Sequence, residues 1–207
     1  MIGCQDFCGY YDWTFEYLRR TYGEEAVRAY WEQAIAGDSQ QHARELIVGQ
    51  GFAGMEAYWG HTLAEEEAGY VATRTEAVYR LDMHECPSLG FLRRHNLAAY
   101  HDYCAHCMGW IKPIMDEAGF TIDHEHNHQG QCWWEMRRAG EGGRPSTAGE
   151  LSGEKDVRLR PDWPTGKHDL YLESRPVPSP NPPEQESPPS PGDSPPGDTV
   201  SSSKRTV

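Results

Sequence analysis

Residues 70–83, YVATRTEAVYRLDM, break the pattern of everything before them. Val71, Thr73, Thr75, Ala77, Tyr79, Leu81 and Met83 alternate with Arg74, Glu76, Arg80 and Asp82. A two-residue period puts alternate side chains on opposite faces of a strand. The stretch predicts one long strand, or two joined by a bend, with one face wet. Pro87 ends it, because proline lacks the donor a ladder needs.

Upstream the period is helical. Phe15, Leu18 and Tyr22 share one face of a helix that Gly23 stops. Val27, Tyr30, Trp31 and Ile35 repeat the pattern over 24–36. Asp38 and Ser39 predict an N-cap for a third helix with Ala43, Leu46 and Ile47 inward, broken at Gly49–Gly51. A fourth helix, 53–68, carries Met55, Tyr58, Trp59 and Leu63; its Glu65–Glu67 run reads as a solvated face. Downstream, a short helix over 89–94 precedes a longer one over 97–119, in which Cys104, Met108, Ile111 and Met115 share a face and Pro113 predicts a kink. Residues 120–128 and 131–136 then read as two antiparallel strands joined at 127–130. The expectation is an α+β domain: N-terminal helices, then a small antiparallel sheet with a central helix.

The domain is expected to span 1–138. Residues 139–207 read as a mostly disordered tail, entered through Gly140–Gly143 and rich in Pro, Ser, Gly and Asp from Arg175 onward. Such a composition buries too little apolar surface to offset chain entropy. The tail is a possible docking segment for a protein partner. A chain ending before Pro145 is expected to fold. Arg158–Pro164 and Asp169–Glu173 hold a few apolar anchors, read as parts of a loose linker.

The 207 residues carry a formal charge of −13 and 37% hydrophobic side chains. No basic stripe is present, which argues against nucleic acid as a partner. No apolar run approaches a membrane span, and no basic-then-apolar leader opens the chain. The expected location is therefore the cytoplasm, with thiols reduced and available for metal or catalysis.

Those thiols are concentrated. His84 and Cys86, then Cys104, His106 and Cys107, then His124, His126, His128 and Cys132 lie within one stretch of fewer than fifty residues. Cys104 and Cys107 are three apart on a predicted helix, so their sulfurs share a face and suit one metal or a redox pair. A redox pair belongs at a helix start after a strand, whereas here a helix precedes it. His124, His126 and His128 alternate, as do His84 and Cys86, so each set shares a strand face. Cys86, Cys104, Cys107 and Cys132 are expected to meet. Four thiolates on one ion would make a closed structural zinc site; three ligands and an open position would make a catalytic one. The third possibility is a thiolate nucleophile that needs no metal, its pKa lowered by His106 or another nearby imidazole. Zinc is the expected ion, with iron open. Cys4 and Cys8, one helical turn apart, read as core fillers or extra ligands.

From about Asp82 to Arg137 the chain resembles the L-2-amino-thiazoline-4-carboxylic acid hydrolase family. The resemblance rests on Glu85-Cys86-Pro87 closing a strand, on Tyr103-Cys104, on Gly119-Phe120, and on Gly130, Cys132 and Arg137 in a final hairpin. Cys107 stands where many members have Asp, and the His124–His128 run replaces a basic, Thr-containing segment. The resemblance implies a small-molecule hydrolase that opens a cyclic amidine or a related C–N or C–S bond. It implies Cys104 or Cys132 as nucleophile, or a metal-activated water, with His106 or His126 moving the proton. Arg137 is the implied clamp for a small carboxylate. The competing expectation is a non-catalytic metal- or cofactor-binding module acting as sensor, carrier or structural zinc domain.

Overall fold

A computed structural model describes residues 4–141 and 143–163, with side chains from Phe7 onward. The chain is α+β. Helices α1 (Cys4–Tyr22) and α2 (Glu24–Ala29) lead into a π-helical stretch (Tyr30–Ser39), α3 (Gln41–Gln50) and α4 (Phe52–Glu65). The hairpin β1 (Gly69–Arg74) and β2 (Val78–Glu85) follows, then α5 (Leu89–Arg94), α6 (Ala105–Ala118), β3 (Phe120–His126) and β4 (Cys132–Arg138). All sheet pairings are antiparallel, in the order β1-β2-β4-β3. Among the described residues no helix is long and apolar enough to cross a membrane.

Alternation in the strands sorts side chains onto two faces. Tyr79, Leu81 and Met83 of β2, Ile122 of β3, and Trp134 and Met136 of β4 join the helices in the core. Phe15, Trp31, Ile47, Met55 and Ile111 fill it from the helical side. Two glycines permit the closest helix contacts. A Cβ on Gly54 of α4 would lie 2.0 Å from the carbonyl oxygen of Leu46. One on Gly109 of α6 would lie 2.7 Å from the Cβ of Trp31. Neither gap admits another atom, so these crossings require glycine.

Three helical expectations change. Residues 30–39 wind as a π-helix, in which the Gln40 N–H reaches back five residues to the Ile35 carbonyl at 3.0 Å. Gln40, not Asp38 or Ser39, therefore precedes α3, and the Ser39 hydroxyl donates to the Ile35 carbonyl instead. The long helix begins at Ala105 rather than Leu97. Residues 97–104 are held as turns: the Tyr100 N–H donates to the Asp12 carboxylate, and the Tyr100 hydroxyl donates to Glu24 at 2.5 Å.

The outer face of the sheet is not wet. Arg80 and Asp82 are fully buried and Glu135 is 1% exposed, because residues 143–163 lie across them. Arg80 donates to Asp82 at 2.7 and 2.9 Å, to Glu135 at 3.2 Å and to Asp156 at 3.1 Å. The Ser152 hydroxyl and the Val157 N–H both donate to Asp82. The Arg80 and Arg158 guanidinium groups each sit 4.7 Å from the Trp133 ring. The expectation of a loose exit after Arg138 is thus corrected: 143–163 is a strap fastened by ion pairs, with Val157 fully buried under it. The Pro-rich stretch from Arg175 onward lies outside the described residues.

Candidate functional site

The inner sheet face ends in a row of side chains set by register. His126 pairs with Cys132, which pairs with Met83; one step along, His124 pairs with Trp134, which pairs with Leu81. Directly opposed residues on one face have Cβ atoms ~4.5–5.5 Å apart. The start of α6 adds Cys104, His106 and Cys107 from above, and the chain leaving β2 adds Cys86. All of these but Leu81 line one cavity of about 330 Å³, together with Tyr58, Trp59 and Trp110. That volume suits a small metabolite.

The four thiols therefore converge, as expected from their types and order. Each is part-exposed and lines the cavity. Burial pushes all four thiols above the usual thiol range, and the neighbouring sulfurs add to the shift. Ionising one makes ionising the next harder. Cys86 differs from the rest: the backbone N–H groups of Ser88, Leu89 and Gly90 hydrogen-bond its sulfur and oppose the burial shift. Cys104 is the cap residue of α6 and Cys107 lies in its first turn, so the pair occupies a helix start after all.

His106 is 7% exposed and fixed at both nitrogens. Nδ1 donates to the Tyr103 carbonyl at 2.5 Å. That bond sets the tautomer and leaves Nε2 as an acceptor. Cys107 Sγ stands 3.8 Å from Nε2. Burial lowers the His106 pKa to about 4, so the ring is neutral near pH 7. The arrangement is a thiol, a base and a carbonyl that orients the base. The Tyr103 hydroxyl lies 2.7 Å from the Ser88 hydroxyl, which accepts from Cys8 Sγ at 3.5 Å. Cys8 is buried core, and through Ser88 it ties α1 to the site.

A second group lies beside the first. One donor atom each of Cys104, His126 and His128 comes within 4.8 Å of the other two. A thiol and two imidazoles suit a borderline ion such as zinc. Among the described residues the four thiols do not form such a group, so the closed four-sulfur site is not assembled. His124 lines the cavity wall, its pKa pushed well below the usual value by burial and by the neighbouring imidazoles. Its buried Nδ1 has no hydrogen-bond partner. His128 is carried by the hairpin turn at φ 53°. Arg93 of α5 donates to its carbonyl and to the Gln129 side chain at 3.0 Å. Asn127 Oδ1 accepts from the N–H groups of Gln129 and Gln131, closing the turn from within.

Two expected site residues are misplaced. His84 points to the outer face, where Nε2 contacts the Lys155 carbonyl at 2.9 Å. The strand ends at Glu85, so Cys86 leaves the alternation and no longer shares a face with His84. Arg137, the expected carboxylate clamp, also lies on the outer face. It is bound to Glu135 at 2.5 Å and to Asp123. Odd and even positions of β4 separate it from Cys132. Other residues went unnoticed in the sequence. Gln40, Thr62 and Glu66 line the cavity. Tyr58, Thr62 and Glu66 recur every four residues along α4, a signal hidden because Glu66 sits within an acidic run.

Comparison with protein-family models and with curated proteins returned no match for this chain.

Proposed function

We propose that the protein is a small-molecule hydrolase that opens a cyclic amidine or a related C–N or C–S bond, of the thiazoline-carboxylate hydrolase type. The carrying observation is the Cys107–His106–Tyr103 arrangement on the wall of a metabolite-sized cavity. A neutral imidazole whose acceptor nitrogen faces a protonated thiol is a general base beside its nucleophile. The Cys107 sulfur adds to the C=N carbon while its proton passes through His106 Nε2 to the ring nitrogen. The adduct then collapses: the ring C–N bond breaks as the exocyclic amino group gives a proton to the departing ring nitrogen, leaving a thioimidate on Cys107. Water adds to that C=N carbon, the C–S bond to Cys107 breaks, and the sulfur recovers a proton from the added water. One water is consumed and the thiol is restored. Cys107 takes the role the sequence suggested for Cys104 or Cys132, since it is the thiol at the base.

Cys104, His126 and His128 favour a second reading, a metal-binding module. Zinc held there would polarise a bound heteroatom or lower the pKa of a bound water. The two readings separate in one experiment on protein purified under reducing conditions. Metal content is measured, and hydrolysis of 2-amino-2-thiazoline is followed for wild type, Cys107→Ser and His126→Ala. Turnover abolished by Cys107→Ser, with metal content unchanged, supports the thiol hydrolase. Turnover unaffected by Cys107→Ser defeats it. Stoichiometric zinc lost in His126→Ala, without turnover in any form, favours the module.

A further inference from the structure

We propose that Cys104, Cys132, His126 and His128 bind a zinc ion that competes with the substrate for the cavity and so inhibits the hydrolase. The inhibition rests on the hydrolase reading; the binding of the ion does not. Three of the donors already converge. One donor atom each of Cys104, His126 and His128 lies within 4.8 Å of the other two. Zinc–sulfur bonds of about 2.3 Å and zinc–nitrogen bonds of about 2.0–2.1 Å put tetrahedral donors about 3.3–3.8 Å apart, so side-chain rotation closes the gap. The rings of His126 and His128 stand edge to face, their centroids 4.0 Å apart. The backbone holds the set in place: Cys104 caps α6, His126 ends β3, and Arg93 grips the turn that carries His128. Register supplies the fourth donor. The Asn127 N–H donates to the Gln131 carbonyl at 3.1 Å, which makes 127 and 131 a hydrogen-bonded pair. His126 and Cys132 are therefore the adjoining non-hydrogen-bonded pair, where facing side chains come closest. Two thiolates and two imidazoles make a closed zinc site. Each thiol releases its proton to solvent as its sulfur binds the ion.

The same placement sets the effect on turnover. Cys104, His126 and Cys132 line the cavity, and Cys107 lies one helical turn beyond Cys104 on the same wall. An ion that joins those three side chains takes the space beside the nucleophile. Cys107, His106 and the Tyr103 carbonyl are not among its ligands, so the chemistry stays intact once the ion leaves. A closed coordination shell offers no position to substrate or water. Zinc therefore raises KM and leaves kcat alone, whereas a catalytic ion would raise kcat.

The test uses the full chain, reduced and stripped of metal by a chelator, then titrated with zinc chloride against a chromophoric zinc indicator. One zinc ion per chain is expected, with affinity lowered at least about tenfold in His128→Asn and in Cys132→Ala. Asparagine tolerates the left-handed backbone at position 128, so that variant spares the turn. Cobalt in place of zinc is expected to give thiolate charge-transfer absorption that halves in Cys132→Ala. Zinc in slight excess is expected to raise the KM for 2-amino-2-thiazoline at least about tenfold at unchanged kcat, and to slow iodoacetamide labelling of Cys107. No bound zinc, undiminished affinity in either variant, an unchanged KM or a kcat raised by zinc overturns the inference. Absence of turnover in the metal-free protein defeats the hydrolase reading instead. Zinc stoichiometry and Cys107 labelling then decide the inference by themselves, and labelling unslowed by bound zinc overturns it.

Discussion

The two faces of one sheet solve opposite electrostatic problems. The inner face gathers thiols that burial holds protonated, and imidazoles of which His106 and His124 are held neutral by burial, around a space left open. The outer face gathers full charges, Arg80 with Asp82, Glu135 and Asp156, and leaves no space at all. The comparison teaches where function can reside. A closed ion-pair network costs several kcal/mol to break because each partner would be left charged and dry. An uncharged cluster around a cavity keeps its reactivity in reserve. Stability sits behind the sheet and the proposed chemistry in front of it.

That division is tested first by the largest expected effect. Arg80→Met strands three buried carboxylates, and urea denaturation is expected to show a loss of about 3–5 kcal/mol. A loss near zero would mean that the outer face holds little of the fold. Ending the chain at Gly143 removes Asp156 and Val157 together. It is expected to expose the outer face and lower the unfolding midpoint sharply, contrary to the sequence-based expectation of a dispensable tail; an unchanged midpoint would restore the loose-linker view.

Acid probes the same face. Burial opposes ionisation of Asp156, but hydrogen bonds from Arg158 and from backbone N–H groups, with Arg80 nearby, hold its pKa at about 2. A depressed carboxylate pKa stabilises the fold above the ordinary value near 4, and that stability is lost as pH falls towards 2. The contribution is on the order of 2 kcal/mol. In Asp156→Asn the acid-dependent loss between pH 4 and pH 2 is expected to shrink by that amount; a profile identical to wild type would dismiss the assignment. Gly109→Ala forces α6 away from Trp31 and is expected to cost about 1–3 kcal/mol by overpacking, read from the thermal midpoint. The smallest effect sharpens the comparison most. Arg137→Gln is expected to leave ligand affinity and turnover within about twofold of wild type, since the side chain lies behind the sheet. A large rise in KM would return Arg137 to the site.

The strands were legible because alternation is short-range and hard to mistake: Tyr79, Leu81 and Met83 declare their face without help. The short helix after Cys86 was legible for the same local reason. The π-helix was not, since ten residues with Trp31 and Ile35 inward fit either winding. The strap was hidden by its polarity; Asp156 and Arg158 look solvated until Arg80 and Trp133 lie beneath them. In the site, the convergence of thiols followed from their order. The sidedness of His84 and Arg137 was legible in the same parity, since His84 alternates with Met83 and Arg137 with Met136; what stayed hidden is that β2 ends at Glu85 and frees Cys86 from the face of His84.

The pairing of His126 with Cys132 and Met83 carries a consequence for how this chain tolerates change. Sidedness along a strand has parity. Inserting one residue into β3 ahead of His124 would turn both imidazoles toward the strap and deliver Asp123 and Glu125 to the cavity. Inserting two would restore the sides and shift only the alignment. Chemistry and architecture here share a single reading frame, so an odd indel in these strands forfeits both at once.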